Sequence, residues 1–449
     1  MHARTHLFLS LTALLLAACN STTSGPAADL SADRPGQVAT RYAYAALVPL
    51  QPGDSVASLQ HATGGTVVTW NDATCRAGSG DPCQAIVGIN APTGTTAAQL
   101  SALSVPLNRD ITVEANKDQF TGGGTLTATI GGARVAWAGG SLLAWSGGAR
   151  VAWAGGSYAP IPQNTQLWTT LHLQQAQALA PNLGAGVTVA VIDTGIDLNH
   201  PAFAGSLTDP ATWQDYYAGD TVPQDEGTLG TGGFGHGTNV AGIILQIAPR
   251  ARIMPIRVLG PDGSGDLTTI AQAITWAVAK GANVINLSLG STSDSKIIQQ
   301  AITAATAKGV LVVSSAGNAN EDKITYPAAS ATKIFGLLSV GSVDLTDTKS
   351  SFSNYAKELE LMAPGENVYA PAPGNLMAAW SGTSQAAPIV AGGLALALGQ
   401  PLKVPVSNIT TSMAATAVNL YTNPLNQRYD KKLGYGRLDL AAFLTPIVK

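Results

Sequence analysis

The sequence predicts an α/β protein, a parallel sheet flanked by helices, preceded by a small α+β unit. Three observations lead there. From residue 187 onward, short Val/Ile/Leu-rich runs alternate with longer helical stretches, as the strands and crossover helices of a parallel sheet do. Between residues 42 and 120 the order of patterns is β-α-β-β-α-β. The polar residues suited to chemistry fall at strand ends and helix starts, where open α/β sheets place their sites.

The chain has 449 residues, enough for more than one domain; only 11% are charged and the net charge is −3. No strongly basic stretch occurs, so no nucleic-acid partner is expected. His2, Arg4 and His6 precede an apolar core from Leu7 to Ala17, the pattern of an export signal. Leu16-Ala17-Ala18-Cys19 resembles a bacterial lipobox, which makes Cys19 the lipidation site, residues 1–18 the signal peptide and residues 19–40 a polar tether. The protein is therefore expected to be exported, either as a cell-envelope lipoprotein held to the membrane by its N-terminal lipid or as a form secreted after processing. With Cys19 set aside, Cys75 and Cys83 remain. An even remainder in an exported chain reads as one disulfide closing a short loop, with two free buried thiols as the alternative.

In residues 41–120, Arg41 to Leu50 reads as a strand and Asp54 to Ala62 as a helix capped by Asp54 or Ser55. Thr66 to Trp70 and Gln84 to Ile89 follow as strands, Thr95 to Leu103 as a helix and Asp110 to Ala115 as a strand. The order is ferredoxin-like. Residues 121–160 carry a repeat of period eight closed by Gly-Gly, with Trp137, Trp145 and Trp153 in equivalent positions. It reads either as a β-meander with two-residue glycine turns or as a flexible linker.

The remaining residues, 161–449, hold the candidate chemistry. Val187 to Ile192 is an apolar run ending at Asp193-Thr194-Gly195, and Gly235-His236-Gly237-Thr238 opens a helix. Val310 to Val313 leads through Ser314 to Gly317 into Asn318. Ser384 opens the charge-free run Ala386 to Leu398, with Pro388 placed in its first turn, where missing N–H groups are tolerated. A serine at a helix start is ordinarily an N-cap. Together with an aspartate, a histidine and an amide, it supplies the parts of acyl transfer. No Gly-x-Ser-x-Gly elbow surrounds Ser384, which weighs against the usual esterase arrangement.

These motifs resemble those of the subtilisin-like serine proteases, the subtilases. Val191-Ile192-Asp193-Thr194-Gly195, Gly235-His236-Gly237-Thr238 and Gly382-Thr383-Ser384 with Ala387-Pro388 carry the likeness. The resemblance implies a subtilisin-like fold and a serine endopeptidase acting on polypeptides, with Asp193, His236 and Ser384 as triad and Asn318 in the oxyanion hole. It implies paired substrate-binding edges at Gly263-Ser264-Gly265 and Ser288-Leu289-Gly290. Ser315-Ala316-Gly317 would wall the side-chain pocket, and Thr325 would narrow it toward medium apolar side chains. Residues 41–120 then correspond to a propeptide that chaperones folding and acts as an intramolecular inhibitor of a self-processed zymogen. No cofactor is needed for the chemistry. The helix after His236 is shorter than the family's, so its usual calcium loop does not carry over. Asp209, Asp215, Asp220, Asp225 and Glu226 make a structural Ca²⁺ site conceivable, but a solvated acidic loop is the preferred reading. Asn239 and Gln385 stand where the family has His and Met, and altered packing is expected there.

Overall fold

The computed structural model describes residues 42–71, 83–92, 94–103, 107–116, 118–122, 125–129 and 161–449. Cys19, Cys75 and the three repeat tryptophans lie outside these residues, and with them the lipidation, the disulfide and the repeat meander.

The first unit is an antiparallel sheet of β1 (Tyr44–Pro49), β2 (Thr66–Asn71), β3 (Gln84–Ile89) and β4 (Thr112–Ala115), in the order β2-β3-β1-β4. Ser55, not Asp54, caps the helix Val56–Thr63, through a reciprocal bond with Ser58. One face of this sheet covers its own helix through Val48, Leu59 and Val87. The other face adds Ala45, Leu47 and Ile86 to a core shared with the helices Leu267–Ala279 and Lys296–Ala307.

Polar contacts fix that docking at the two helix starts. Glu114 accepts from Ser295 Oγ (2.7 Å) and from the Lys296 N–H (2.8 Å). Asn116 Oδ1 accepts the Thr268 N–H (3.0 Å), and its amide donates to Thr268 Oγ1 (2.9 Å). Helix starts carry unpaired N–H groups and partial positive charge, so a carboxylate and an amide oxygen from another unit suit them.

Two short strands follow. β5 (Asp118–Gly122) and β6 (Thr125–Thr129) leave the first unit and pair with the main body. Its central sheet contains β7 (Thr188–Asp193), β8 (Gln214–Asp215), β9 (Arg252–Arg257), β11 (Val284–Leu287), β13 (Leu311–Ser315), β14 (Leu337–Val343) and β15 (Leu361–Pro364). The order is β15-β14-β13-β11-β7-β9-β8, and each pair is parallel. Strands such as β11, β13 and β14 are buried along their whole length, which is why they read as continuous apolar runs rather than alternating ones.

Three edge pieces complete the body: β10 (Ser264–Asp266), β12 (Leu289–Gly290) and the hairpin of β16 (Val368–Ala372) with β17 (Leu376–Ser381). β5 lies between β10 and β12, antiparallel to both, and β6 lies antiparallel on β17. Residues 125–129, at the start of the stretch that carries the repeat, thus pair with β17.

The helix Thr383–Leu398 runs through the core, buried from Thr383 to Ala397, so its sequence has no polar face. It packs against the helix His236–Ile247, also buried throughout. Their close approach needs a residue without a side chain, since a Cβ on Gly392 would stand 2.8 Å from the Ile247 Cβ. We expect Gly392→Leu, made in a Ser384→Ala background to suppress self-digestion, to destabilise the fold by about 3 kcal/mol or more. Thermal unfolding checks this, and an unchanged midpoint would remove the argument for contact.

Candidate active site

Asp193 ends β7, fully buried, and its main-chain carbonyl accepts from the Val258 and Leu259 N–H groups (2.9 and 3.2 Å). Its Oδ1 accepts from its neighbour's N–H, Thr194 (2.7 Å), and lies 2.7 Å from His236 Nδ1. With the aspartate ionised, Nδ1 is the protonated nitrogen and Nε2 the basic one.

His236 is the first residue of its helix. Gly237 has to be glycine: a Cβ there would sit 2.2 Å from Gly195 O and 3.1 Å from the Asp193 Cβ. The Gly237 N–H donates to Thr194 Oγ1 (3.0 Å), joining helix start to strand end.

Beneath this contact lies Asp225, whose importance the sequence reading missed. Placed there in a solvated acidic loop, it is instead buried, accepting from the Gly235 N–H (3.2 Å) and Thr238 Oγ1 (2.7 Å). Thr238 Oγ1 in turn accepts the Asp197 N–H (2.9 Å). Asp215 is buried too, 3.2 Å from the guanidinium of Arg257, which also reaches Glu226 (3.0 Å) and stacks on Tyr217. A charge pattern alone does not distinguish such internal carboxylates from solvated ones, because their buried partner lies far along the chain. Among the described residues, no group of three or more His, Cys, Asp or Glu is arranged to hold a metal ion.

Ser384 is the second residue of the helix Thr383–Leu398. Pro388 is thus past the first turn, and the donor it lacks is the one that would pair with the Ser384 carbonyl. That carbonyl accepts from Ser288 Oγ instead (2.8 Å), while Ser384 Oγ donates to Ser288 O (3.2 Å). The helix tolerates its proline through this outside donor, not through its position.

The helix starts that carry His236 and Ser384 are joined by the residues noted as departures. Gln385 Nε2 donates to Asn239 Oδ1 (3.4 Å), and Asn239 donates to Ala378 O (3.3 Å), all in the interior. The two replacements thus meet each other in space.

Asn318 follows β13 on an exposed turn, its Oδ1 accepting from the Thr383 N–H (2.8 Å) and Oγ1 (3.0 Å). With the oxygen so committed, the amide's Nδ2 is its donor face. Asn354 secures the turn from behind, bonding the Gly317 carbonyl and the Ala319 and Glu321 N–H groups.

The predicted pocket residues also gather here. Thr325 donates to Ser315 O (3.3 Å), its N–H reaches Ala316 O (2.9 Å), and it stands between Gly290 and Gly317. Ser264, Gly265, Leu289 and Gly290 carry the ladder that β5 occupies, whereas Gly263 turns the chain and the Ser288 hydroxyl serves Ser384. His200 faces the Leu376 carbonyl (3.1 Å) and Asn286 donates to Ser288 Oγ (2.9 Å), both holding the surroundings in place.

Residues 184–436 match the sequence profile of the Subtilase family. Thermitase from Thermoactinomyces vulgaris is 39% identical over 255 residues, covering 55% of this chain and 86% of that protein. Subtilisin BL from Lederbergia lenta is 39% identical over 258 residues, covering 54% and 89%. A solved protease structure from Pseudoalteromonas arctica aligns with a TM-score of 0.53 at 26% identity, covering 63% of this chain and 98% of that one.

Burial pushes the Asp225 carboxyl up to about 7 from its ordinary 3.8, against the bonds from Thr238 and Gly235. The folded state then keeps a proton that the unfolded chain releases, so ionisation costs stability as pH rises from about 4 to about 7. We expect the unfolding midpoint of Asp225→Asn, in a Ser384→Ala background, to gain on its parent across that window and to level off above it. A difference independent of pH would refute the burial argument.

Proposed function

The chain belongs to the subtilase family and is a serine endopeptidase, and on that premise we propose that Asp193, His236 and Ser384 form its triad within an exported, self-processing zymogen. The observation that carries the triad is the buried 2.7 Å contact of His236 Nδ1 with Asp193, on a helix packed against the one that begins at Thr383 and carries Ser384. In the reaction, Ser384 Oγ attacks a peptide carbonyl while His236 Nε2 takes its proton. The Ser384 N–H and Asn318 Nδ2 hold the oxyanion. The tetrahedral adduct collapses to an acyl-enzyme, and the leaving amine departs with the proton from His236. Water then attacks the ester, with His236 as base again, and the carboxylate product leaves. Acid protonates His236 and removes the base, so activity falls at low pH.

The zymogen reading is supported by where the chain's own strands lie. Gly122 is opposite Leu289, and the next residue along that edge is Ser288, whose carbonyl holds the Ser384 hydroxyl. On the other side Thr125 is opposite Ser381, three residues before Ser384. The bond to be cut therefore falls between Gly122 and Thr125. Cleavage there leaves the first unit as a non-covalent inhibitor held by β5, Glu114 and Asn116. β6 stays attached to the protease through residues 130–160. Lipid at Cys19 and a Cys75–Cys83 disulfide complete the proposal for an envelope protein.

N-terminal sequencing of the purified protein tests both parts. The active chain should begin between residues 123 and 125. Ser384→Ala should keep its first unit attached and lose several orders of magnitude in casein hydrolysis; digestion at the parental rate would defeat the triad. Removing the helix caps with Glu114→Ala plus Asn116→Ala should weaken retention of the cleaved first unit by roughly tenfold or more, at about 1 kcal/mol per cap. Activity of the self-cleaved protein on dilution measures this.

A further inference from the structure

Ser288 grips the nucleophile at both ends. Its hydroxyl donates to the Ser384 carbonyl, its carbonyl accepts the Ser384 hydroxyl, and the Asn286 amide donates to its hydroxyl oxygen. Ser288, Asn286 and Ser384 are all in the interior, so water is a poor substitute for any of these partners. The vacancy at the Ser384 carbonyl exists because Pro388, four residues on, has no N–H to give. A sequence with alanine at 388 would satisfy that carbonyl within the helix and leave the Ser288 hydroxyl redundant.

We propose that Ser288 is a positioning residue for the nucleophile, and that it acts on the carbonyl that Pro388 leaves open. The reading rests on Ser384 being the nucleophile. During attack the Ser384 proton must leave the Ser288 carbonyl and pass to His236. The bond to the Ser384 carbonyl has no part in that transfer and persists through it, so the nucleophile's main chain stays fixed while its hydroxyl reorients. Ser288 also adjoins Leu289, which is opposite Gly122 in β5. One residue therefore ties the position of the attacking oxygen to the edge on which the peptide lies.

The test is a double-mutant cycle in the self-processed enzyme, read with a short chromogenic peptide. Ser288→Ala should lower kcat about tenfold, the worth of one lost hydrogen bond, and change KM less than about twofold. In a Pro388→Ala background, where an N–H of the helix takes the carbonyl, the same substitution should lower kcat less than about twofold. An equal loss in both backgrounds, or no loss in the first, overturns the proposal. Should Ser288→Ala fail to fold, Ser288→Cys, which keeps the volume with a weaker donor, is read in the same two backgrounds under the same criteria. An active Ser384→Ala enzyme would instead remove the triad reading itself, so the two failures are distinguishable.

Discussion

The contact between Asp193 and His236 imposes a steric condition on everything around it. A buried imidazole can meet a carboxylate at the end of β7 only if a helix begins within a hydrogen bond of that strand. The space between them admits no side chain at residue 237, where a Cβ would overlap the Gly195 carbonyl. Thr194, Thr238 and Asp225 then take up the main-chain donors and hydroxyls that this crowding leaves in the interior. Burying the Asp225 carboxyl is expensive in itself. Its position under the helix start gives each of its two oxygens a donor, the Gly235 N–H and the Thr238 hydroxyl.

Much of this could be read along the chain. The alternation of buried strands with helices gave the parallel sheet, since each run is long, apolar and closed by a turn residue. The triad candidates and Asn318 were legible because each lies in a short local motif at a strand end or helix start. What stayed hidden depends on partners distant in sequence. Asp225 and Asp215 look like any acidic loop until Thr238 and Arg257 are placed beside them. Pro388 looked like a first-turn proline because the helix boundary was unknown by one turn, and its compensation comes from Ser288, 96 residues away. Asn239 and Gln385 were visible as departures, but their meeting was not. β6 falls in the stretch read as a period-eight repeat, since no local pattern announces that its partner is β17.

β5 and β6 also give the site a direction. Strand pairing on β10 and β12 uses main-chain groups, so any extended peptide satisfies it whatever its side chains. β5 on one side of Ser384 and β6 on the other trace, under the proposed reading, the course of a substrate past that serine, along Leu289–Gly290 and then Ser381. Under the proposed reading, the enzyme's first substrate is held by the same ladders as its later ones. The difference is tethering, which raises the effective concentration of the junction far above that of any free peptide.

Helix capping separates the helices that carry His236 and Ser384 from those on which the first unit docks. The helices at His236 and Thr383 begin after Gly235 and Gly382, which have no side chain to cap them, and a side chain from elsewhere takes one N–H of each: Thr194 Oγ1 that of Gly237, and Asn318 Oδ1 that of Thr383. Under the proposed reading, the remaining N–H groups and partial positive charge of the Ser384 helix start serve the oxyanion. The helices beginning at Leu267 and Lys296 follow the opposite rule, being capped by Asp266 and Ser295. The first unit then adds Asn116 and Glu114 to those same starts. These contacts form only when the protease part is folded, so docking lowers the free energy of the folded state and not of the unfolded one. Under the proposed reading the same unit, whose chain continues into β5, would also occupy the substrate edge until dilution or digestion removed it.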